Sequence, residues 1–263
     1  MSEDFEEWKR LTTAAVSDAL DRTGVKGQCF GISPLDRSFR VVGRAFTVKY
    51  ADSAANGTVG DYLDDIEPGT VIVLDNGGRL DTTVWGELTT LAARKRRAAG
   101  TVIDGVCRDS LRSMDLKYPV FSRGTHMRTG KDRVRVEAYQ IPISVGNTRV
   151  APGDLVIGDA DGVVIVQKRV EKKVLAAALE IRRAEDQIRR ALLSGMRLSE
   201  ARRKFRYFEL QKRGSSIVPR PTPEGSSSLG KRYMRSRPRL INHAVLRASF
   251  SDGTVLGRLE NVH

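Results

Sequence analysis

This chain of 263 residues is poor in cysteine and lacks long apolar runs and a Gly-rich dinucleotide signature. Two cysteines, Cys29 and Cys107, cannot staple a domain of this size, and the polar, acidic start MSEDFEEWKR does not read as a secretory signal. Together these features point to a reducing cytoplasm. Cys107 lies in an apolar stretch beside Arg108, which suits a buried structural thiol better than an Arg-activated nucleophile. No apolar run reaches the ~18–20 residues that cross a bilayer, so no membrane span is expected. G-x-G-x-x-G is absent, so Asp75-Asn76-Gly77-Gly78 reads as a tight turn rather than part of a dinucleotide or S-adenosylmethionine site.

A net charge of +13 first suggests nucleic acid. Its distribution narrows that reading: residues 201–263 hold 14 Lys+Arg against 4 Asp+Glu, most of the excess, and the rest of the chain is close to balance. Residues 211–263 are rich in Ser, Pro, Gly and Arg with no buriable face, and read as a basic, disordered tail beyond a domain of residues 1–210. A salt-sensitive nucleic-acid contact through that tail stays open.

Hydrophobic residues make up 40% of the sequence, enough for a substantial core. Apolar residues at helical spacing predict a helix over 5–22, and alternating FRVVGRAFTVKYA predicts strands around 39–50. TVGDYLDDI reads as a short helix. TVIVLD is an apolar strand closed by Asn76-Gly77-Gly78, followed by a helix over 82–99 and the buried strand TVIDGVC. SLRSMDLKY then predicts a short helix and PVFSRG a strand. Residues 133–167 read as a meander with Gly and Pro-Gly turns, 168–194 as a long amphipathic helix, and 195–205 as a short final one.

The chemistry concentrates in Trp85-Gly86-Glu87-Leu88-Thr89 and Arg108-Asp109. Twenty residues separate Glu87 from Arg108, and the helix, Gly turn and strand between them can return the chain to where it began. A guanidinium after an apolar strand can meet a carboxylate with two parallel hydrogen bonds; an ion pair with Asp104 or Asp109 is the plainer alternative. Asp109 could ligate a hard cation or cap the next helix. Glu87 could face a pocket or complement the helix dipole, while Gly86 permits close approach and the Leu88 and Thr89 amides could bind an anion. His126 reads as a hydrogen-bonded or solvent-facing loop residue. Asp154, Asp159 and Asp161 lack EF-hand spacing and read as turn formers. Arg94 to Arg97 form the solvated end of a helix.

In combination, WGELTTLAARKRRAAG, TVIDGVCRD and VAPGDLVIGDADGVVIVQ resemble the family of regulators of ribonuclease E activity (A-like), which also contains the metal-dependent 4-hydroxy-4-methyl-2-oxoglutarate aldolases. The likeness runs from about Thr13 to about Phe205. The aldolases carry an acidic residue, twenty residues and then Arg-Asp, as Glu87 and Arg108-Asp109 do here; the regulators typically lack the acidic residue.

The resemblance implies an α/β fold of the phosphohistidine-swivelling β/β/α type with flanking helices. It implies that Arg108 and the backbone of Gly86, Glu87, Leu88 and Thr89 bind a pyruvyl carboxylate. Asp109 would hold a divalent metal (Mg²⁺, Mn²⁺ or Co²⁺), and Glu87 would act through water. It further implies a homotrimer or hexamer with sites between subunits, with Glu180 and Glu185 as candidates for a neighbour's carboxylate, and a chain ending near residue 210. The activity implied is cleavage of 4-hydroxy-2-oxo acids to pyruvate, with oxaloacetate decarboxylation through the same enolate; the alternative is a non-catalytic ribonuclease inhibitor. A Schiff-base lysine is disfavoured, because the pocket motifs contain none, and nothing supports a methyltransferase.

Overall fold

A computed structural model describes residues 3–53 and 59–210. The basic tail expected over 211–263 lies outside the described residues. Two helices open the chain, α1 (Glu3–Lys9) and α2 (Thr13–Thr23), where the apolar pattern predicts one. Thr12 divides them: its backbone is extended, and its side chain accepts the Ala15 amide at 3.2 Å to cap α2.

The strands are β1 (Gln28–Cys29), β2 (Ser33–Pro34), β3 (Val41–Asp52), β4 (Thr70–Thr83), β5 (Gly100–Cys107), β6 (Val120–Ser122), β7 (Gly124–Thr125), β8 (Val134–Tyr139), β9 (Ile143–Val145), β10 (Thr148–Val150), β11 (Leu155–Asp159) and β12 (Gly162–Val166). Between them lie α3 (Glu87–Lys95) and α4 (Ser110–Asp115), with a 3-10 turn at Asp61–Asp65; α5 (Glu171–Leu193), α6 (Leu198–Lys204) and α7 (Tyr207–Leu210) follow.

Strand order in the main sheet is β1-β12-β11-β3-β4-β5-β6-β2, with β7 added to β5 and β8 to β3. The β3–β4–β5–β6 stretch is parallel; β11 and β12 join antiparallel at β3. The β11–β12 hairpin fits the expected meander, but β8 crosses back to β3, and β9–β10 form a separate ribbon.

Side chains alternate between two faces along each strand. Ile72, Leu74 and Ile103 pack with Trp85 and Ala93 on the face carrying α3, whereas Val71, Val73 and Val102 pack with Val145 and Val150 of the ribbon. Leu155 and Ile157 meet Val16, Leu20 and Ile181 of α2 and α5 on the helical side. Burial on both faces explains why these strands read as unbroken apolar runs. The fold is α/β: a mixed sheet between a β-ribbon and a helical layer.

Two expectations near the site are corrected. Asn76-Gly77-Gly78 does not end its strand. β4 continues to Thr83 through register shifts between Asp75 and Arg79 and between Arg79 and Thr83, with buried Asn76 donating its Nδ2 to the Thr82 carbonyl at 2.9 Å. The helix expected over 82–99 is only Glu87–Lys95, because Thr82 and Thr83 belong to β4 and Gly86 is extended. The turn aspartates serve as read: Asp154 accepts the Ala151 and Lys168 amides, and Asp159 accepts the Thr13 and Asp161 amides.

Both cysteines are buried and free. Burial is the main cause that pushes the Cys29 thiol up to about 12 and also raises Cys107. Raised values keep both groups as thiols at pH 8, so neither should react with Ellman's reagent within minutes in the native protein, and both should after denaturation. A fast native reaction would restore the nucleophile reading of Cys107.

Candidate active site

The twenty-residue unit between Glu87 and Arg108 closes on itself. Its two ends are joined where the Arg108 amide donates to the Trp85 carbonyl at 2.9 Å. Buried Trp85 donates its indole N–H to Thr90 Oγ1 (2.9 Å), and Thr90 meets Ser113 Oγ at 3.0 Å, tying α3 to α4. A fixed frame of buried hydrogen bonds therefore sets Gly86-Glu87 against Arg108-Asp109.

Asp109 occupies the cap position of α4 but does not cap it. Its backbone is left-handed (φ 52°, ψ 37°), and its side chain makes no bond to the α4 amides. That conformation costs an L-residue about 1–2 kcal/mol. What it achieves is direction: Asp109 Oδ2 accepts the Glu87 amide across the cleft at 3.1 Å and lies 3.5 Å from Arg108 Nε. Among the described residues Oδ1 takes no hydrogen bond. The capping alternative is therefore excluded, and the ion pair with Arg108 is present.

At the start of α3, the Gly86 amide donates to Thr89 Oγ1 (2.9 Å) and the Glu87 amide to Asp109. The Leu88 and Thr89 amides have no acceptor among the described residues, so these two are the open donors of the helix N-terminus. Gly86 contributes space: a Cβ there would stand 2.7 Å from Asp109 Oδ2 and 3.3 Å from Arg108 Cγ and Nε. Gly86→Ala should lower kcat of the activity proposed below by about 10²-fold, the scale of a misplaced catalytic group, with an unchanged far-UV spectrum. Full turnover would show that this contact is unimportant.

Glu87 is held by Arg112, whose Nε donates to Oε1 at 3.0 Å. Arg112 escaped the sequence reading, although its place one turn after Asp109 was a usable signal. Two chambers meet at Arg108 and Asp109. The first encloses about 140 Å³ between Thr83–Thr89, Val59, Thr129 and Gly130; the second, about 360 Å³, is lined by Ser110, Thr125, His126 and Met127. Among the described residues no lysine lines either chamber, and no three His, Cys, Asp or Glu side chains gather as a metal cluster.

The other charged candidates fall elsewhere. Asp104 pairs with Arg123 and accepts the Gly146 amide at 2.8 Å. Arg94 to Arg97 are exposed at the end of α3. Both α5 carboxylates implied as a neighbour's contribution have surroundings in their own chain: Glu180 meets Arg22 at 2.7 Å, and burial, then the charge of Asp18, raises the Glu185 carboxyl.

A mixed α/β sheet with an Arg-Asp pair facing a helix N-terminus defines the class of the protein, and comparison with known proteins agrees. The RraA-like family model (Aldolase/RraA) matches residues 13–165, and the chain belongs to that family. It is 36% identical over 188 residues to a Halalkalibacterium halodurans protein named "Putative 4-hydroxy-4-methyl-2-oxoglutarate aldolase", covering 72% of this chain and 87% of that one. It is 35% identical over 199 residues to Protein DlpA of Legionella pneumophila, covering 74% of this chain but 32% of DlpA, so it spans about a third of that relative.

Among solved structures, an uncharacterized protein from Pseudomonas syringae pv. tomato aligns with a TM-score of 0.71 at 38% identity, over 76% of this chain and 96% of that one. Streptomyces coelicolor RraAS2, described as an unusual member of the RNase ES inhibitor RraA family, aligns with a TM-score of 0.65 at 25% identity, over 75% and 98%. Among the described residues no helix is long and apolar enough to cross a membrane.

Proposed function

We propose that this protein is a divalent-metal-dependent (class II) aldolase. It cleaves 4-hydroxy-2-oxo acids such as 4-hydroxy-4-methyl-2-oxoglutarate to pyruvate, and decarboxylates oxaloacetate through the same enolate. The observation that carries the reading is the convergence, in one cleft, of Arg108, the open Leu88 and Thr89 amides, and the carboxylates of Asp109 and Glu87. The aldolase name borne by the Halalkalibacterium relative supports it.

The donor set suits a hard cation. Asp109 presents an oxygen free of protein hydrogen bonds, and the lack of a three-residue cluster fits an ion such as Mg²⁺ that binds one or two carboxylates and keeps its waters. Such an ion, Mg²⁺, Mn²⁺ or Co²⁺ held by Asp109, supplies Lewis-acid stabilisation of negative charge on the substrate's 2-oxo oxygen.

The remaining work falls to the chain. Arg108 and the two amides hold the substrate carboxylate, and Gly86 leaves them room. In the cleavage, the 4-hydroxyl loses its proton and the C3–C4 bond breaks as C4 becomes a carbonyl. The electron pair passes into the enolate of pyruvate, which is protonated at C3. Arg108 faces the charge that develops. Glu87, held by Arg112, is placed to orient the water that takes the hydroxyl proton. Oxaloacetate loses CO₂ from the same carbon and leaves the same enolate. The reading includes a homo-oligomer, trimer or hexamer, with the cleft at a subunit boundary.

A second reading, inhibition of a ribonuclease without catalysis, is favoured by the likeness to the RNase ES inhibitor family and opposed by Glu87. A lactate-dehydrogenase-coupled assay with Mg²⁺ or Mn²⁺ separates the two. Pyruvate release from both substrates supports the aldolase; a silent protein that captures and inhibits a ribonuclease supports the regulator.

A further inference from the structure

The second chamber lies where a substrate anchored at Leu88, Thr89 and Arg108 would continue past Asp109. Parallel pairing of β7 with β5, Cys107 opposite Thr125, brings His126 beside Arg108, and the His126 amide donates to the Cys107 carbonyl at 2.9 Å. The ring is oriented as well: His126 Nδ1 accepts the Arg128 amide at 3.1 Å. An imidazole whose Nδ1 accepts carries its proton on Nε2, so the free edge of the ring is a donor. The Ser110 and Thr125 hydroxyls line the same chamber, and Asp109 is its only carboxylate.

We infer that this chamber binds a distal carboxylate and that His126 selects for it, so the protein prefers dicarboxylic 2-oxo acids over those with a neutral tail. The inference rests on the proposed 2-oxo-acid site and adds a specificity-determining residue to it. Three neutral donors beside the Arg108 guanidinium match an acceptor-rich anion. An alkyl tail would leave those donors without partners, which is how sites built for hydrogen bonding reject apolar analogues.

The test compares two uncleavable ligands of equal chain length, 2-oxoglutarate and 2-oxopentanoate, by calorimetry with Mg²⁺ on wild type, His126→Ala and His126→Gln, with pyruvate as reference. Wild type should bind 2-oxoglutarate about 10-fold more tightly, the scale of one hydrogen bond to a charged group. His126→Ala should lose that preference with pyruvate binding unchanged, and His126→Gln, which keeps a donor, should recover part of it. Pyruvate binding without a wild-type preference, or a preference that survives His126→Ala, would overturn the inference alone. Failure of pyruvate itself to bind would overturn the 2-oxo-acid site, and the inference with it.

Discussion

Asp109→Asn should lower kcat for pyruvate release by about 10³-fold, the largest effect of any single change in the cleft. A cation-stabilised enolate draws several kcal/mol from its Lewis acid, and each 1.4 kcal/mol or so is tenfold in rate. Asparagine nearly preserves the volume and keeps an oxygen to accept the Glu87 amide, so the bond across the cleft can survive. It also tolerates the left-handed backbone that Asp109 adopts. What is lost is the negative charge and the ligand. The variant should therefore fold with an unchanged circular dichroism spectrum, lose activity, and show no recovery as Mg²⁺ is raised. Undiminished turnover would remove the metal from the account.

Arg108→Met should lower kcat/KM by about 10²-fold. Hydrogen bonds to charged groups contribute about 1.5–3 kcal/mol each, and a guanidinium holds a carboxylate with two. Methionine retains an unbranched stem beside Gly86. Because the substrate carboxylate is bound before and during the reaction, most of the loss should appear as a higher KM. A fall in kcat as well would mean that Arg108 also stabilises the enolate. Equal kinetics for variant and wild type on both substrates would place the carboxylate elsewhere.

Sequence and structure agree best where local pattern controls geometry. The parallel strands around Ile72 and Ile103 were legible because burial on both faces leaves an unbroken apolar run. The return of the chain from Glu87 to Arg108 followed from a strand, a short helix and a Gly turn of ordinary length. What stayed hidden depends on pairing between distant segments. Asn76-Gly77-Gly78 carries every mark of a strand end, yet Asn76 is buried and the bulges let β4 run on to Thr83. Nothing local announces that β7 aligns with β5, so His126 looked like an ordinary loop residue until that register placed it beside Arg108.

The alternatives weighed for the charged residues were also decided by tertiary geometry. Asp109 reads equally well as a cap or a ligand, and only its left-handed backbone, turning the carboxylate toward Glu87, separates the two. Glu87 does sit at a helix N-terminus, but its side chain is engaged by Arg112 from the neighbouring helix.

The central claim is tested most directly by metal-dependent pyruvate release from 4-hydroxy-4-methyl-2-oxoglutarate, measured in excess chelator and again after Mg²⁺ or Mn²⁺ is restored. The account predicts activity that vanishes with the chelator and returns with the metal. Turnover unaffected by the chelator, or no pyruvate from any 4-hydroxy-2-oxo acid or oxaloacetate at saturating metal, would contradict it.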